Sequence, residues 1–141
     1  MDVECENSKD LGAKPCIINI HNEVLCNSNF RTAIWTGKYL QATVMCIPAG
    51  GEIGLEMHDD LDQFIRIESG IAAVYTGKEK GCVRFLGRAN ANCAVVIPAG
   101  TWHNLINASS YPLKVYSIYA PPQHPFGTVH KTKLDADLAE E

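Results

Sequence analysis

The pattern of apolar and polar residues along the chain predicts many short strands. Stretches rich in β-branched and aromatic residues are separated by Gly, Pro, Asn or Asp at close intervals, which is typical of strands joined by tight turns. We predict about nine or ten strands, at residues 16–25, 30–39, 41–47, 52–58, 63–68, 71–75, 79–87, 93–97, 102–106 and 113–119. Turn signals about every 8–12 residues favour an all-β sandwich or barrel.

One domain accounts for the whole chain. Its 141 residues are enough for a single sizeable core. We predict an N-terminal arm over residues 1–15 and one domain over residues 16–141. Residues 129–141 are predicted to contain a short helix, because Leu134 and Leu138 are four residues apart and share one helical face.

Charge and cysteine content exclude several classes of function. The net charge of -4 argues against a nucleic-acid or anionic-membrane partner, since both require a basic surface. The first residues lack a basic and then apolar export signal, and no apolar run reaches the roughly 18 residues that span a bilayer. We therefore expect a cytoplasmic protein whose six cysteines are free thiols. Cys46 and Cys93 lie in apolar runs and are predicted to be small core residues.

Potential metal ligands are concentrated between residues 50 and 70. Glu56 and His58 are separated by one residue, so on a strand both side chains face the same side. The acidic turn that follows brings Gln63 back beside them on the next strand. A fourth ligand, His103, follows the turn made by Pro98 and Gly100. Singly, each of these residues fits an ordinary surface or core role, but their joint convergence favours a metal site, because unpaired polar groups inside a barrel are costly.

These two stretches resemble the paired motifs of the cupin superfamily. The first motif aligns as Gly50, Glu56, His58, Gln63 and Gly70, and the second as Asn92, Pro98, Gly100, His103 and Asn107. Three residues depart from the usual pattern. Glu56 replaces a histidine, Gln63 replaces a glutamate, and Asn92 replaces a glycine, although Asn also tolerates a positive φ. The resemblance implies a single-domain cupin jelly roll, with the strand pattern extending the match to about residue 121.

The resemblance also implies a divalent metal held by Glu56, His58, Gln63 and His103. Two imidazoles and two oxygens suit zinc, iron, manganese, nickel or cobalt alike, and zinc is the metal that the family resemblance favours. Because only Glu56 is anionic, the ion would retain a formal positive charge and act as a better Lewis acid.

Further details of the chain resemble small bacterial cupins described as mannose-6-phosphate isomerase-like, notably the stretch YSIYAPPQHPFGTVHKTK. This resemblance implies a small-molecule substrate such as a sugar phosphate, aldose–ketose isomerisation, and a homodimer. A metal-dependent dioxygenase or other oxidoreductase, and a non-catalytic metal- or sugar-binding module, remain as alternatives.

A sugar phosphate needs an arginine or lysine at the pocket. Arg66 is offset by an odd number from Gln63 and should point outward, and Lys131 and Lys133 are candidates to fold over the mouth. The remaining basic candidates have no predicted inward placement: Arg84, Arg88 and Lys114. No catalytic residue is assigned; His124 and Tyr119 are the candidates for a general base, each with a structural alternative.

Overall fold

The computed structural model describes residue 5 and residues 8–140, which form a mostly β domain. Within these residues there are nine strands, two α-helices and one 3₁₀ turn at Lys80–Cys82. The helices are α1 (Ile20–Cys26) and α2 (Lys133–Ala139). The strands are β1 (Arg31–Thr36), β2 (Gln41–Ile47), β3 (Asp62–Ser69), β4 (Ala72–Gly77), β5 (Arg84–Ala89), β6 (Ala94–Ile97), β7 (Trp102–Asn107), β8 (Leu113–Ala120) and β9 (Val129–His130).

The strands form two antiparallel sheets. The larger sheet has six strands in the order β6-β3-β8-β2-β1-β9, and the smaller has three in the order β5-β4-β7. This architecture confirms the predicted all-β sandwich. The segment 52–58 makes isolated bridges to β7, at Glu52 with Ile106 and at Glu56 with His103, instead of a regular strand.

The large sheet packs against the core with its inner face and is partly covered on its outer face. Its inner face contributes Met45, Ile65, Ile67 and Val115 to the main core between the sheets. Its outer face carries a second apolar cluster of Val24, Ile34, Ala42 and Val44. Val24 lies on α1, so this helix covers the outer face of the sheet.

The predicted strand over residues 16–25 is wrong, because α1 occupies its second half. The Asn19 side chain accepts a hydrogen bond from the Asn22 backbone N–H at 3.1 Å, which caps the first turn of the helix. Val24 is fully buried against the sheet. The β-branched residues of this segment therefore lie in or beside a short helix that packs on the sheet. These tertiary contacts override their propensity to form a strand.

The prediction of six free thiols is also wrong. Cys5 and Cys26 form a disulfide with a Cα–Cα distance of 5.4 Å, which joins the N-terminal arm to the end of α1. Cys16, Cys46, Cys82 and Cys93 are free. Cys93 is exposed, contrary to its predicted place in the core, because it lies in the turn before β6 and its thiol contacts Asn90.

The predicted N-terminal arm, residues 1–15, is described at residue 5 and from residue 8 onward. Its Leu11 N–H donates to the Ile34 carbonyl of β1 at 3.0 Å. The Asp10 carboxylate accepts from the Thr36 hydroxyl at 2.5 Å and from the Gly127 N–H at 2.9 Å. The arm is thus joined to β1 and to the loop before β9. The division of the chain at residue 15 stays a prediction.

The predicted C-terminal helix is confirmed as α2. The Thr132 hydroxyl accepts from the Asp135 N–H at 3.1 Å, and the Asp135 carboxylate accepts from the Thr132 N–H at 3.3 Å. This reciprocal capping box defines where the helix begins. Ala136, on its inward side, is 3% exposed and joins the main core. None of the described helices is long and apolar enough to cross a bilayer.

Candidate metal centre

Backbone pairing places Glu56 directly opposite His103. The Glu56 N–H donates to the His103 carbonyl at 3.0 Å, and the His103 N–H donates to the Glu56 carbonyl at 2.9 Å. Residues that exchange both backbone hydrogen bonds have adjacent side chains. The isolated bridge is therefore what brings the first predicted ligand beside the last, across 47 residues of sequence.

His58 is held on the same side, two residues beyond Glu56. Its carbonyl accepts from the Gly100 N–H at 2.7 Å, so the turn before β7 also fixes this end of the segment. Gly54 has a φ of +104°, a conformation that suits glycine, and its N–H donates to the Asn104 side chain at 2.9 Å. This irregular residue interrupts the pairing between the two bridges and allows the segment to turn its ligands inward.

Three of the four predicted ligands converge. Single ligand atoms of Glu56, His58 and His103 all lie within 4.8 Å of one another. Glu56 Oε1 is 3.3 Å from His103 Nε2 and 3.6 Å from His58 Nε2. The two imidazole centroids are 5.7 Å apart with planes tilted by 53°. One carboxylate oxygen and two imidazole nitrogens at this spacing are the donor set that borderline divalent metals take.

Hydrogen bonding selects the nitrogen of His103 that is free to bind a cation. His103 Nδ1 lies 3.0 Å from the Thr101 carbonyl, which can only accept. Nδ1 is therefore assigned as an N–H donor, so Nε2, which lies 3.3 Å from Glu56 Oε1, is the ring nitrogen that a cation would take. A backbone carbonyl that orients a ligating histidine in this way is a common feature of metal sites.

The carboxylate of Glu56 stays ionised. Burial would by itself raise the pKa of Glu56, but hydrogen bonds and electrostatic attraction from His103 and His58 outweigh it, so that the pKa lies below its usual range. The site therefore offers a permanent negative charge to a cation at neutral pH.

The fourth predicted ligand, Gln63, lies on the inner face of β3. It is 3% exposed, and its Nε2 donates to the Ser117 hydroxyl at 3.3 Å. Its Oε1 has no hydrogen-bond partner among the described residues. A buried, unpartnered amide oxygen fits a metal ligand, since such a group is otherwise costly. Coordination of the ion by Gln63 stays a prediction.

Tyr119 and His124 lie next to the triad. The Tyr119 ring centroid is 6.0 Å from that of His58 and 5.3 Å from that of His124, both edge-on. Burial raises the pKa of the Tyr119 phenol, so it is protonated at neutral pH. Burial and then repulsion from Arg31 lower the pKa of His124 to about 3, so its ring is neutral. His124 Nε2 is buried and has no hydrogen-bond partner among the described residues.

Arg31 is the residue of this region that the sequence did not reveal. It begins β1 and is only 3% exposed. Its positive charge lowers the pKa of both Tyr119 and His124. Residues 31–34 are all buried, so no apolar–polar alternation marks which of them faces inward. Its pairing with Met45, an inner residue of β2, is what places it on the inner face.

The basic residues considered from sequence lie elsewhere. Arg66 points outward as predicted, where it contacts Glu68 at 3.4 Å and Asn92 at 3.1 Å. The Lys114 ammonium donates to the Leu25 carbonyl at the end of α1. Lys131 and Lys133 line a cavity of about 270 Å³ whose walls include none of the four predicted ligands.

Asn92 and Asn107, which align with the second motif, stabilise the backbone near the site, and Asn92 has the positive φ that the sequence allowed. Asn92 has a φ of +76° and is the one described non-glycine residue with positive φ. Asn107 Nδ2 donates to the carbonyls of Ile47 and Pro48 at 3.1 and 3.2 Å. This amide ties the end of β7 to the end of β2, and thereby links the two sheets.

Comparison with known proteins agrees with this geometry. The profile of the Cupin domain family matches residues 43–119, which is more than half of the chain. The chain is 53% identical over 133 residues to the uncharacterized protein YrkC of Bacillus subtilis, covering 94% of this chain and 72% of that protein. It is 40% identical over 114 residues to the uncharacterized protein L612 of Acanthamoeba polyphaga mimivirus, covering 80% of this chain and 69% of that protein.

Solved structures show the same fold. The crystal structure of BH2720 from Bacillus halodurans superposes with a TM-score of 0.91 at 49% identity, covering 92% of this chain and 98% of that one. KdgF from Halomonas sp. superposes with a TM-score of 0.56 at 20% identity, covering 66% of this chain and 80% of that one. Oxalate decarboxylase of Bacillus subtilis, studied for its Mn(II) centers, gives 0.55 at 19% identity, over 62% of this chain and 23% of that one.

Proposed function

The chain belongs to the cupin family, and we propose that it is a metal-dependent isomerase of small hydroxy-carbonyl compounds, such as a sugar phosphate. The observation that carries this proposal is the buried triad of Glu56, His58 and His103 with a neutral imidazole, His124, nearby. Gln63 completes the proposed ligand set. These donors suit zinc, with iron, manganese, nickel or cobalt as alternatives.

A metal bound by these residues would polarise a substrate carbonyl or hydroxyl as a Lewis acid. The protein supplies the remaining steps. His124, whose ring is neutral and whose Nε2 has no hydrogen-bond partner among the described residues, would accept a proton from one carbon and return it to the neighbouring carbon. No atom is gained or lost and no redox partner is required.

Burial keeps solvent away from this chemistry. The side chain of His103 is 1% exposed, that of His58 10% and that of Glu56 21%, so the triad opens to solvent mainly on the side of Glu56. Tyr119, which remains protonated, is a hydrogen-bond donor beside the substrate oxygens. Its hydroxyl would help to hold the substrate in register with His124.

A coupled assay tests the activity. Protein reconstituted in turn with each of the five metals is given mannose 6-phosphate, and formation of fructose 6-phosphate is followed together with deuterium uptake from heavy water. We expect metal-dependent turnover that His103→Ala abolishes. The matched control is His21→Ala, since His21 lies on α1 and contacts Glu68 at 2.7 Å, away from the triad.

Two other outcomes of this assay would indicate a different function. Turnover that requires iron and oxygen and is abolished by zinc would indicate an oxidoreductase. Tight binding of metal and sugar without product or deuterium uptake would indicate a binding module. A homodimer is proposed on family resemblance, and sedimentation of the purified protein tests it.

A further inference from the structure

Arg31 is a buried cation that has no counter-ion in the part of the chain that the structure describes. A guanidinium stays protonated in proteins, and this residue is 3% exposed. Its Nη1 lies 3.1 Å from His130 Nδ1, and its Cζ lies 5.3 Å from the centroid of the Phe30 ring. Within residues 8–140 no carboxylate forms an ion pair with it, and its Nε has no hydrogen-bond partner.

Arg66 provides the contrast within the same sheet. That arginine is partly exposed on β3, where the Glu68 carboxylate lies 3.4 Å from its Nε and Asn92 accepts a hydrogen bond from its Nη2. A buried charge with no partner costs several kcal/mol, whereas an exposed one costs little. The fold therefore leaves its inner arginine, rather than its outer one, without a counter-charge.

Further buried polar atoms meet Arg31 at Tyr119. Thr43 Oγ1 and His124 Nε2 are both buried and have no hydrogen-bond partner among the described residues. Thr43 and Arg31 both lower the pKa of the Tyr119 phenol, against the larger effect of burial, and the His124 ring lies 5.3 Å from that of Tyr119. We call Arg31, Thr43, Tyr119 and His124 the inner polar cluster. Its members come from β1, β2, β8 and the loop after β8, and Arg31, Thr43 and Tyr119 supply its hydrogen-bond donors.

We propose that the inner polar cluster binds an oxyanion, a carboxylate or phosphate group of the substrate, with Arg31 as its main anchor. The fork of a guanidinium matches the oxygens of either group and binds them by two parallel hydrogen bonds. The hydroxyl groups of Thr43 and Tyr119 add neutral donors. The bound charge also offsets that of Arg31, which otherwise lies unpaired in the protein interior.

The cluster adjoins the metal centre through Tyr119, whose ring stands 6.0 Å from that of His58. A short substrate therefore spans both sites, with its oxyanion at Arg31 and its hydroxy-carbonyl end at Glu56, His58 and His103. This extension to the substrate class rests on the proposed function. Anion binding itself does not, because it requires neither metal nor turnover.

The test measures anion binding to metal-free protein by calorimetry, with inorganic phosphate and acetate as separate probes. We compare the wild type with Arg31→Lys and Arg31→Gln, and with Arg66→Gln as the matched control. We expect Arg31→Gln to weaken binding of the preferred probe at least about tenfold, because the charge-assisted fork is lost. Arg31→Lys should retain part of the affinity, and Arg66→Gln all of it.

Thermal unfolding separates a binding role from a structural one. Without anion, Arg31→Gln should melt no lower than the wild type, because it removes an unpaired buried charge. With anion, the wild type and Arg66→Gln should gain thermal stability and Arg31→Gln should not.

Equal binding by the wild type and Arg31→Gln, or no binding of either probe, would overturn the proposal. An anion-independent loss of stability in both Arg31 variants would also overturn it, since Arg31 would then be structural. Phosphate binding favours a phosphorylated substrate, and acetate binding a sugar acid. If anions bind but mannose 6-phosphate is not turned over, the oxyanion site stands and the isomerase assignment fails.

Discussion

The two ends of the space between the sheets differ in chemistry although the same strands build them. One end is lined by Met45, Ile67 and Val115, each 1% exposed or less. At the other end, the inner positions of β2 and β8 carry Thr43, Ser117 and Tyr119, which are just as buried. Strand geometry therefore does not decide what the interior contains. One end stabilises the fold, and the other presents unsatisfied polar atoms that a metal and a substrate can engage.

The largest expected effect is at the apolar end. Ile67→Ala removes a fully buried side chain from the main core and should lower the free energy of unfolding by about 2–5 kcal/mol. Phe64→Ala, on the same strand but 38% exposed, is the control and should cost far less. Urea denaturation of metal-free protein measures both. If Ile67→Ala in its folded state also binds metal more weakly, the two ends are not independent.

The next effect belongs to the metal centre. Glu56→Gln keeps the shape but removes the only carboxylate among the predicted ligands, so the dissociation constant for zinc should rise at least about tenfold, or about 1.4 kcal/mol. Glu52→Gln is the matched control, because Glu52 lies in the same segment, bridges the same strand and is exposed. Competition titration with a chelator measures both variants. Unchanged affinity in Glu56→Gln would exclude Glu56 as a ligand.

The convergence of Glu56, His58 and His103 is predictable from sequence because each lies within a short local motif. Glu56 and His58 share a face of one extended segment, and His103 follows a turn marked by proline and glycine. Asn92 is likewise predictable, since a positive φ at a motif position calls for glycine or asparagine. The many short strands follow from turn residues that recur along the chain.

The inner polar cluster is not predictable in this way. Arg31 lies in a strand buried on both faces, so no alternation assigns its direction. Its neighbours Tyr119 and His124 come from nearly a hundred residues further along the chain, and only the pairing of β1, β2 and β8 brings them together. The Cys5–Cys26 disulfide is missed for another reason. Absence of an export signal favours reduced thiols, but it says nothing about which cysteines are adjacent.

A pH effect distinguishes the polar end from the apolar end. Burial and repulsion from Arg31 lower the pKa of His124 from the ordinary 6.5 of a histidine to about 3 in the folded protein. Between these values the unfolded chain binds the extra proton, so stability falls as the pH falls below 6.5. In His124→Asn, metal-free, this loss should shrink by about 1 kcal/mol between pH 6 and pH 5. Denaturation curves at pH 8, 6 and 5 measure it; parallel losses in both proteins would show that His124 is solvated.

The smallest expected effect is at Thr43, and it tests whether the polar end stabilises the fold at all. Thr43 is fully buried and its hydroxyl has no hydrogen-bond partner among the described residues. Thr43→Val replaces that hydroxyl with a methyl group of similar size, so stability should stay unchanged or rise by up to about 1 kcal/mol. Ser117→Ala is the comparison, because its hydroxyl accepts from Gln63 at 3.3 Å and its loss leaves a buried donor unpaired. That variant should lose about 1 kcal/mol in the same denaturation experiment.

A loss in Thr43→Val as large as in Ser117→Ala would mean that the Thr43 hydroxyl stabilises the folded protein without any ligand. Retained stability together with weaker phosphate binding would instead show that this hydroxyl serves the substrate.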